Sequence, residues 1–205
     1  STGVGFSITA NSTGSNIIGS TLGDSIIGGA GVDSITGGDG ADTIRGGTGG
    51  DIISLTETVA SADTFVEYVG ESTTVTASGT LAFGSPLASP VINNTTSLDI
   101  ITGLGTGDKI QVYSGTTGTT AITSSSVLLT AINANFAQTT GSFGLIKGTY
   151  SSGAFAVSST GSDSVLLFDS DGTGNAGVFK AIILVGYIDS GSPDTITTAG
   201  LFTSV

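Results

Sequence analysis

Between Gly19 and Ser54 an aliphatic side chain returns at every ninth position, as Ile26, Ile35, Ile44 and Ile53, and almost everything between is Gly, Ser, Thr or Asp. Aligned in nines, the stretch reads GSTLGDSII (19–27), GGAGVDSIT (28–36), GGDGADTIR (37–45) and GGTGGDIIS (46–54). Upstream, Gly14-Ser15-Asn16-Ile17-Ile18 matches Gly23-Asp24-Ser25-Ile26-Ile27 with Ser in place of Asp, a worn earlier repeat. Spacing of this kind is not that of an amphipathic helix. Each aliphatic position predicts a very short strand, each glycine cluster a tight turn, and the fixed period a stack of identical rungs.

Past Ser54 the period decays, although Ala62-Asp63-Thr64-Phe65-Val66 keeps an Asp-x-apolar core with a bulkier residue that suits a capping rung. Residues 67–97, with Pro86 and Pro90 among Thr, Ser, Gly and Asn, read as a strand or two and a long loop. From Leu98 a pattern returns as Asp99-Ile100-Ile101-Thr102-Gly103-Leu104-Gly105-Thr106-Gly107-Asp108-Lys109-Ile110-Gln111-Val112. Ser124 to Phe136 is the one predicted helix, with Ser126 as its cap and Leu128, Leu129, Ile132 and Phe136 on one face. Strand-like runs follow at Phe143–Ile146, Ala154–Val157, Val165–Phe168 and Ala181–Tyr187, the last apolar enough to be buried on both faces. The expected layout is a repeat unit over residues 10–66, a connection over 67–97, and a compact β-sandwich with one short helix over 98–205.

Composition narrows the chemistry. Charged residues make up 10% of the chain, yet the net charge is −12, with Arg45, Lys109, Lys147 and Lys180 as the only basic side chains. A nucleic-acid interface needs a positive footprint, and none exists here. There is no Cys and no His, so zinc, copper and haem lose their usual ligands and hard, oxygen-bound cations remain. No apolar run reaches the roughly 18 residues of a membrane span. The absence of Met makes a processed product or a piece of a longer protein the expectation.

Each nonad position has a physical reading. Glycines at positions 1, 2 and 4 permit positive φ in a tight loop and let carbonyl oxygens turn inward. Asp at position 6 offers a hard anionic ligand, and the residue at position 8 enters a thin core. The pattern GGxGxDxUx, with U aliphatic, resembles the calcium-binding nonapeptide of the repeats-in-toxin family. That resemblance implies an all-β fold, a right-handed parallel β-roll in which two nonads make one turn, so that Asp24 stacks near Asp42 and Asp33 near Asp51. It further implies calcium held by turn residues Gly19, Thr21, Gly23, Gly28, Ala30, Gly31, Gly37, Gly40, Gly46, Thr48 and Gly49 with Asp24, Asp33, Asp42 and Asp51, in at least two sites. Asp39 is either an exposed turn residue or an extra ligand. Asp63 either closes a half-site with Asp42 or Asp51 or marks a plain turn. The segment from Asp99 to Val112 resembles one that follows the roll in the family, so Asp99 and Asp108 either tie it to the roll through calcium or simply flank strands.

Magnitudes favour a metal-dependent fold. Carboxylates stacked about 5 Å apart repel by roughly 1 kcal/mol in water and about 3 at an effective dielectric of 20. Twelve glycines lie between Gly19 and Ser54, each with an ordering cost of about 0.5–1 kcal/mol, whereas one small aliphatic side chain per nonad returns about 1.5–3. Calcium at a hundredfold excess over its dissociation constant adds about 2.7 kcal/mol per site. The expectation is a stretch over residues 10–66 that is disordered without calcium and ordered with it.

Catalysis has little to work with. No His base, zinc-protease HExxH helix or GxSxG elbow is present, and a glycosidase pair such as Glu67 with Asp99 carries no distinguishing motif. Asp169 to Asn175 opens like an EF-hand loop, but Lys180 stands where the bidentate Glu belongs, so a hairpin turn is expected. The ending from Pro193 to Val205 resembles the uncleaved C-terminal signal of proteins exported by type I secretion machinery. Two non-enzymatic readings follow. One is a calcium-binding structural module of a secreted bacterial surface-layer-like protein, self-assembling or meeting other surface proteins outside the cell. The other is the secretion and folding module of a type I-secreted enzyme or toxin.

Overall fold

The computed structural model describes residues 3–11, 13–68, 70–71, 75–76, 91–92, 97–114, 120–121, 143–158, 160–168, 178–188, 195–196 and 201–203. In the first part of the chain the strands are β1 (Ser7–Thr9), β2 (Asn16–Ile18), β3 (Ser25–Ala30), β4 (Ser34–Thr36), β5 (Thr43–Thr48), β6 (Ile52–Ser54) and β7 (Thr64–Tyr68). Next come β8 (Val75–Thr76), β9 (Val91–Ile92), β10 (Asp99–Thr102), β11 (Lys109–Ser114) and β12 (Thr120–Ala121). The last are β13 (Phe143–Ser151), β14 (Ala154–Val157), β15 (Asp163–Phe168), β16 (Val178–Val185), β17 (Thr195–Ile196) and β18 (Leu201–Thr203).

Odd and even strands of the repeat region separate into two parallel sheets, because each nonad supplies one strand and then reverses. In the first sheet Ser7 pairs with Ser25, Ser25 with Thr43 and Thr43 with Thr64. In the second, Asn16 pairs with Ser34 and Ser34 with Ile52. Two nonads therefore make one rung of 18 residues, and the aliphatic positions of both sheets meet between them. Ile26, Ile35, Ile44 and Ile53 are at most 1% exposed, and Phe65 fills the equivalent place on β7.

The segment expected to open a separate C-terminal unit continues these same sheets. β10 lies parallel on β6, with Ile101 opposite Ile53, and β11 lies parallel on β7, with Ile110 opposite Phe65. β16 adds in parallel to β10, and β15, β13 and β14 then follow in that order as antiparallel strands. Among the described residues one sheet thus runs from the roll through β10 and β16 to β15, β13 and β14. The physical reason is local: Ile101 and Ile110 repeat the inward aliphatic position, so the edges of β6 and β7 are the surfaces that bury them best.

Strands β15 and β16 are buried on both faces, as the run from Ala181 predicts. Leu166, Phe168, Ile182 and Leu184 join the roll core, while Val165, Leu167, Ala181 and Ile183 pack with Leu98, Ile146 and Phe155 on the other side. The predicted helix at 124–136 and the loop at 169–175 lie outside the described residues. Of the C-terminal ending, β17 and β18 are described as an antiparallel pair, with β18 also pairing β11.

Candidate metal centre

The strands end in turns, and at every turn an aspartate points inward. Asp24, Asp33, Asp42, Asp51, Asp63, Asp99 and Asp108 are all buried, none more than 3% exposed. They stand in two columns, each carboxylate accepting from the backbone N–H one rung earlier. In one column Phe6 N donates to Asp24 Oδ1 at 2.5 Å, Asp24 N to Asp42 at 2.7 Å, Asp42 N to Asp63 at 2.8 Å and Asp63 N to Asp108 at 2.9 Å. In the other, Ser15 N donates to Asp33 at 2.6 Å, Asp33 N to Asp51 at 2.8 Å and Asp51 N to Asp99 at 2.9 Å. The expected neighbours Asp24 and Asp42, and Asp33 and Asp51, are thereby brought together. Asp63 joins Asp42 and not Asp51, while Asp99 and Asp108 terminate the two columns.

These bonds use one oxygen of each carboxylate. The second, Oδ2, is buried without a hydrogen bond in Asp33, Asp42, Asp51, Asp63 and Asp99. A buried acceptor with no partner costs about 1–3 kcal/mol and more when charged. Burial accordingly drives the carboxyl pKa upward from 3.8: to about 7 for Asp51 and for Asp63, and upward in Asp42, Asp99 and Asp108. Neighbouring acids push the same way, Asp33 and Glu67 on Asp51 and Asp108 on Asp63, while the ladder hydrogen bonds oppose them. Two remedies exist for such a column: a proton on each rung or a cation between rungs.

The glycines leave room for these oxygens. Positions 2 and 4 take positive φ, as at Gly38 (104°) and Gly40 (99°), where side chains are strained. Position 1 does not, contrary to the expectation that it would. Its reason is space: a Cβ on Gly37 or Gly46 would strike Oδ2 of Asp42 or Asp51, and on Gly28 it would lie 2.6 Å from Asp33 Oδ2. Carbonyl oxygens of the next rung crowd Gly19 and Gly28, with Gly46 O 2.5 Å from such a Cβ on Gly28.

Orphan carboxylate oxygens beside turn carbonyls, with no nitrogen or sulfur ligand, fit a hard divalent cation such as calcium, which takes six to eight oxygens. Among the described residues no three acidic side chains gather closely enough to hold a metal by themselves. Backbone carbonyls must therefore complete any such shell. Thr48 O, one of the expected contributors, already accepts from Gly31 N at 2.8 Å. Asp39 stands apart from both columns. Thr58 Oγ1 and N each donate to it at 2.6 Å and Val59 N at 3.2 Å, and these bonds depress its pKa, so its carboxylate pins the 57–60 turn.

Sequence reasoning did not place Glu67 in this setting. It sits two residues after Phe65, so strand alternation turns it inward, which is the signal that was there to be read. Its charge acts on Asp99, and burial, joined by Glu67 itself, raises the Asp99 pKa well above the ordinary value. Both acids are buried, at 1% and 0% exposed. Lys180 on β16 is also buried there, and burial lowers its pKa against the pull of Glu67 and Asp99. Arg45, which also feels the Glu67 charge, is stacked 4.0 Å over the Tyr68 ring and paired with the buried Glu71.

Fold and site together define a parallel β-roll with acid-laddered turns suited to a hard cation. In agreement, residues 18–53 match the RTX calcium-binding nonapeptide repeat in four copies, which points to a calcium-binding structural module. Among solved structures the chain is similar to the AlgE6R3 subunit from the Azotobacter vinelandii mannuronan C5-epimerase. That likeness has 20% identity and a TM-score of 0.46, over 87% of this chain and 74% of that one. No curated protein matches the sequence.

Proposed function

We propose that this chain is a calcium-folded structural module of a secreted bacterial cell-surface protein of the surface-layer kind. The observation that carries the calcium part is the row of buried, unpartnered Oδ2 atoms on Asp33, Asp42, Asp51, Asp63 and Asp99. Bound calcium would supply positive charge between stacked carboxylates, held by those aspartates and by carbonyls of the glycine turns. The residues themselves do the rest: glycines clear the space, the isoleucine rows hold the two sheets together, and the ladder hydrogen bonds fix each carboxylate. Calcium-scarce and calcium-rich surroundings then select between an open chain and a rigid one, which suits folding after export. The surface role is supported by composition, since 10% charged residues and no Cys leave an exterior of Ser, Thr and Gly. Circular dichroism and sedimentation velocity, each with calcium and with chelator, test both parts. Calcium-induced β signal together with calcium-dependent assembly is expected. A spectrum unchanged by chelator removes the calcium reading, and a strictly monomeric calcium form removes the surface-assembly reading.

A further inference from the structure

The four nonads are not equivalent. In the first, positions 2 and 4 are Ser20 and Leu22, whereas the other three carry glycines with positive φ at Gly29, Gly31, Gly38, Gly40, Gly47 and Gly49. Neither Ser20 nor Leu22 takes positive φ, so this turn follows another path. Its result is a set of bonds no other repeat makes. Ser20 N donates to Asp24 Oδ2 at 2.6 Å, and Ser20 Oγ lies 3.2 Å from Asp24 Oδ1, which also receives Phe6 N. Leu22 N in turn donates to Ser20 Oγ at 3.1 Å, locking the serine in place. Asp24 therefore has donors on both oxygens where Asp33, Asp42 and Asp51 have an orphan.

We infer that the turn at residues 19–24 is closed by Ser20 in place of a cation, so that the first repeat is a metal-free cap and calcium binding in that column begins at Asp42. This rests on the calcium reading given above. The oxygen left without a partner in the other repeats here accepts an amide N–H, in a turn whose path differs from that of the glycine turns.

Two substitutions test this, because Ser20→Gly with Leu22→Gly turns GSTLGD into GGTGGD, the sequence of the fourth repeat at residues 46–51. Calcium stoichiometry of the full chain is measured by isothermal titration calorimetry and equilibrium dialysis, with folding followed by circular dichroism. Asp24→Asn is expected to leave the number of bound ions unchanged, Asp42→Asn to lower it, and the double glycine variant to raise it by one. Should Asp24→Asn fail to fold, the double variant decides alone: an unchanged count overturns the inference. Loss of an ion in a folded Asp24→Asn protein equal to that in Asp42→Asn overturns it as well. If the unsubstituted chain takes up no calcium, the calcium reading itself falls and this inference with it.

Discussion

Acid should do for the metal-free protein part of what calcium does. The perturbation is a pH change in calcium-free buffer, and its sign follows from the raised carboxyls. Asp51 and Asp63 move from 3.8 to about 7 on folding because burial and neighbouring acids disfavour their charge. A raised acid stabilises the folded state fully below its unfolded pKa, and that contribution is lost as pH climbs through the folded value. Between about pH 8 and pH 5 each group would gain roughly 2.7 kcal/mol from the shift alone, and solvent screening at the turns halves this to about 1.3. Together the two give about 2.5 kcal/mol, close to a hundredfold in the folding equilibrium. Asp42, Asp99 and Asp108 are shifted in the same direction. Asp24 and Asp39 are lowered, so their contribution is lost only below the window tested. The β signal in far-ultraviolet circular dichroism at the two pH values, without metal, reads the difference as a change in the folded fraction. The reasoning is refuted if metal-free stability is flat or rises with pH. In saturating calcium the dependence should reverse, since protons then compete with the ion for the same oxygens.

Two further outcomes concern packing. Ile44→Ala, at a site 0% exposed in the roll core, should cost about 2–5 kcal/mol in calcium-saturated protein by urea unfolding. Gly46→Ala places a methyl on Asp51 Oδ2 and 2.9 Å from its Cγ; it should weaken calcium affinity by calorimetry more than an exposed change such as Thr21→Ala does.

The roll was legible because its signal is redundant. Four aliphatic positions and four aspartates repeat in one register, and any one of them predicts the others. The stacking of Asp24 on Asp42 and of Asp33 on Asp51 was what the repeats-in-toxin resemblance implied, with two nonads to a turn. Less legible was where the stack stops. Asp99 and Asp108 lie 48 and 45 residues after the aspartates whose amides they accept, so no local period announces the pairing. The hints were the inward aliphatics Ile101 and Ile110, placed just as in a nonad, and the resemblance of residues 99–112 to a segment that follows the roll. Glu67 went unplaced for a different reason: a buried acid contradicts composition rules, and strand parity had to be trusted over polarity. Position 1 of the nonad shows the same limit, since a glycine required by a neighbour's carboxylate looks identical in sequence to one required by its own φ.

Every carboxylate in the ladder reaches back to an amide earlier in the chain, which gives the stack a direction. Asp51 N and Asp63 N find their acceptors only on Asp99 and Asp108. A fragment trimmed just after β7 would strip those acceptors away and leave β6 and β7 as raw margins. The repeats thus cannot be excised as a portable cassette; anyone grafting them onto another scaffold must carry the distant finishing strands along.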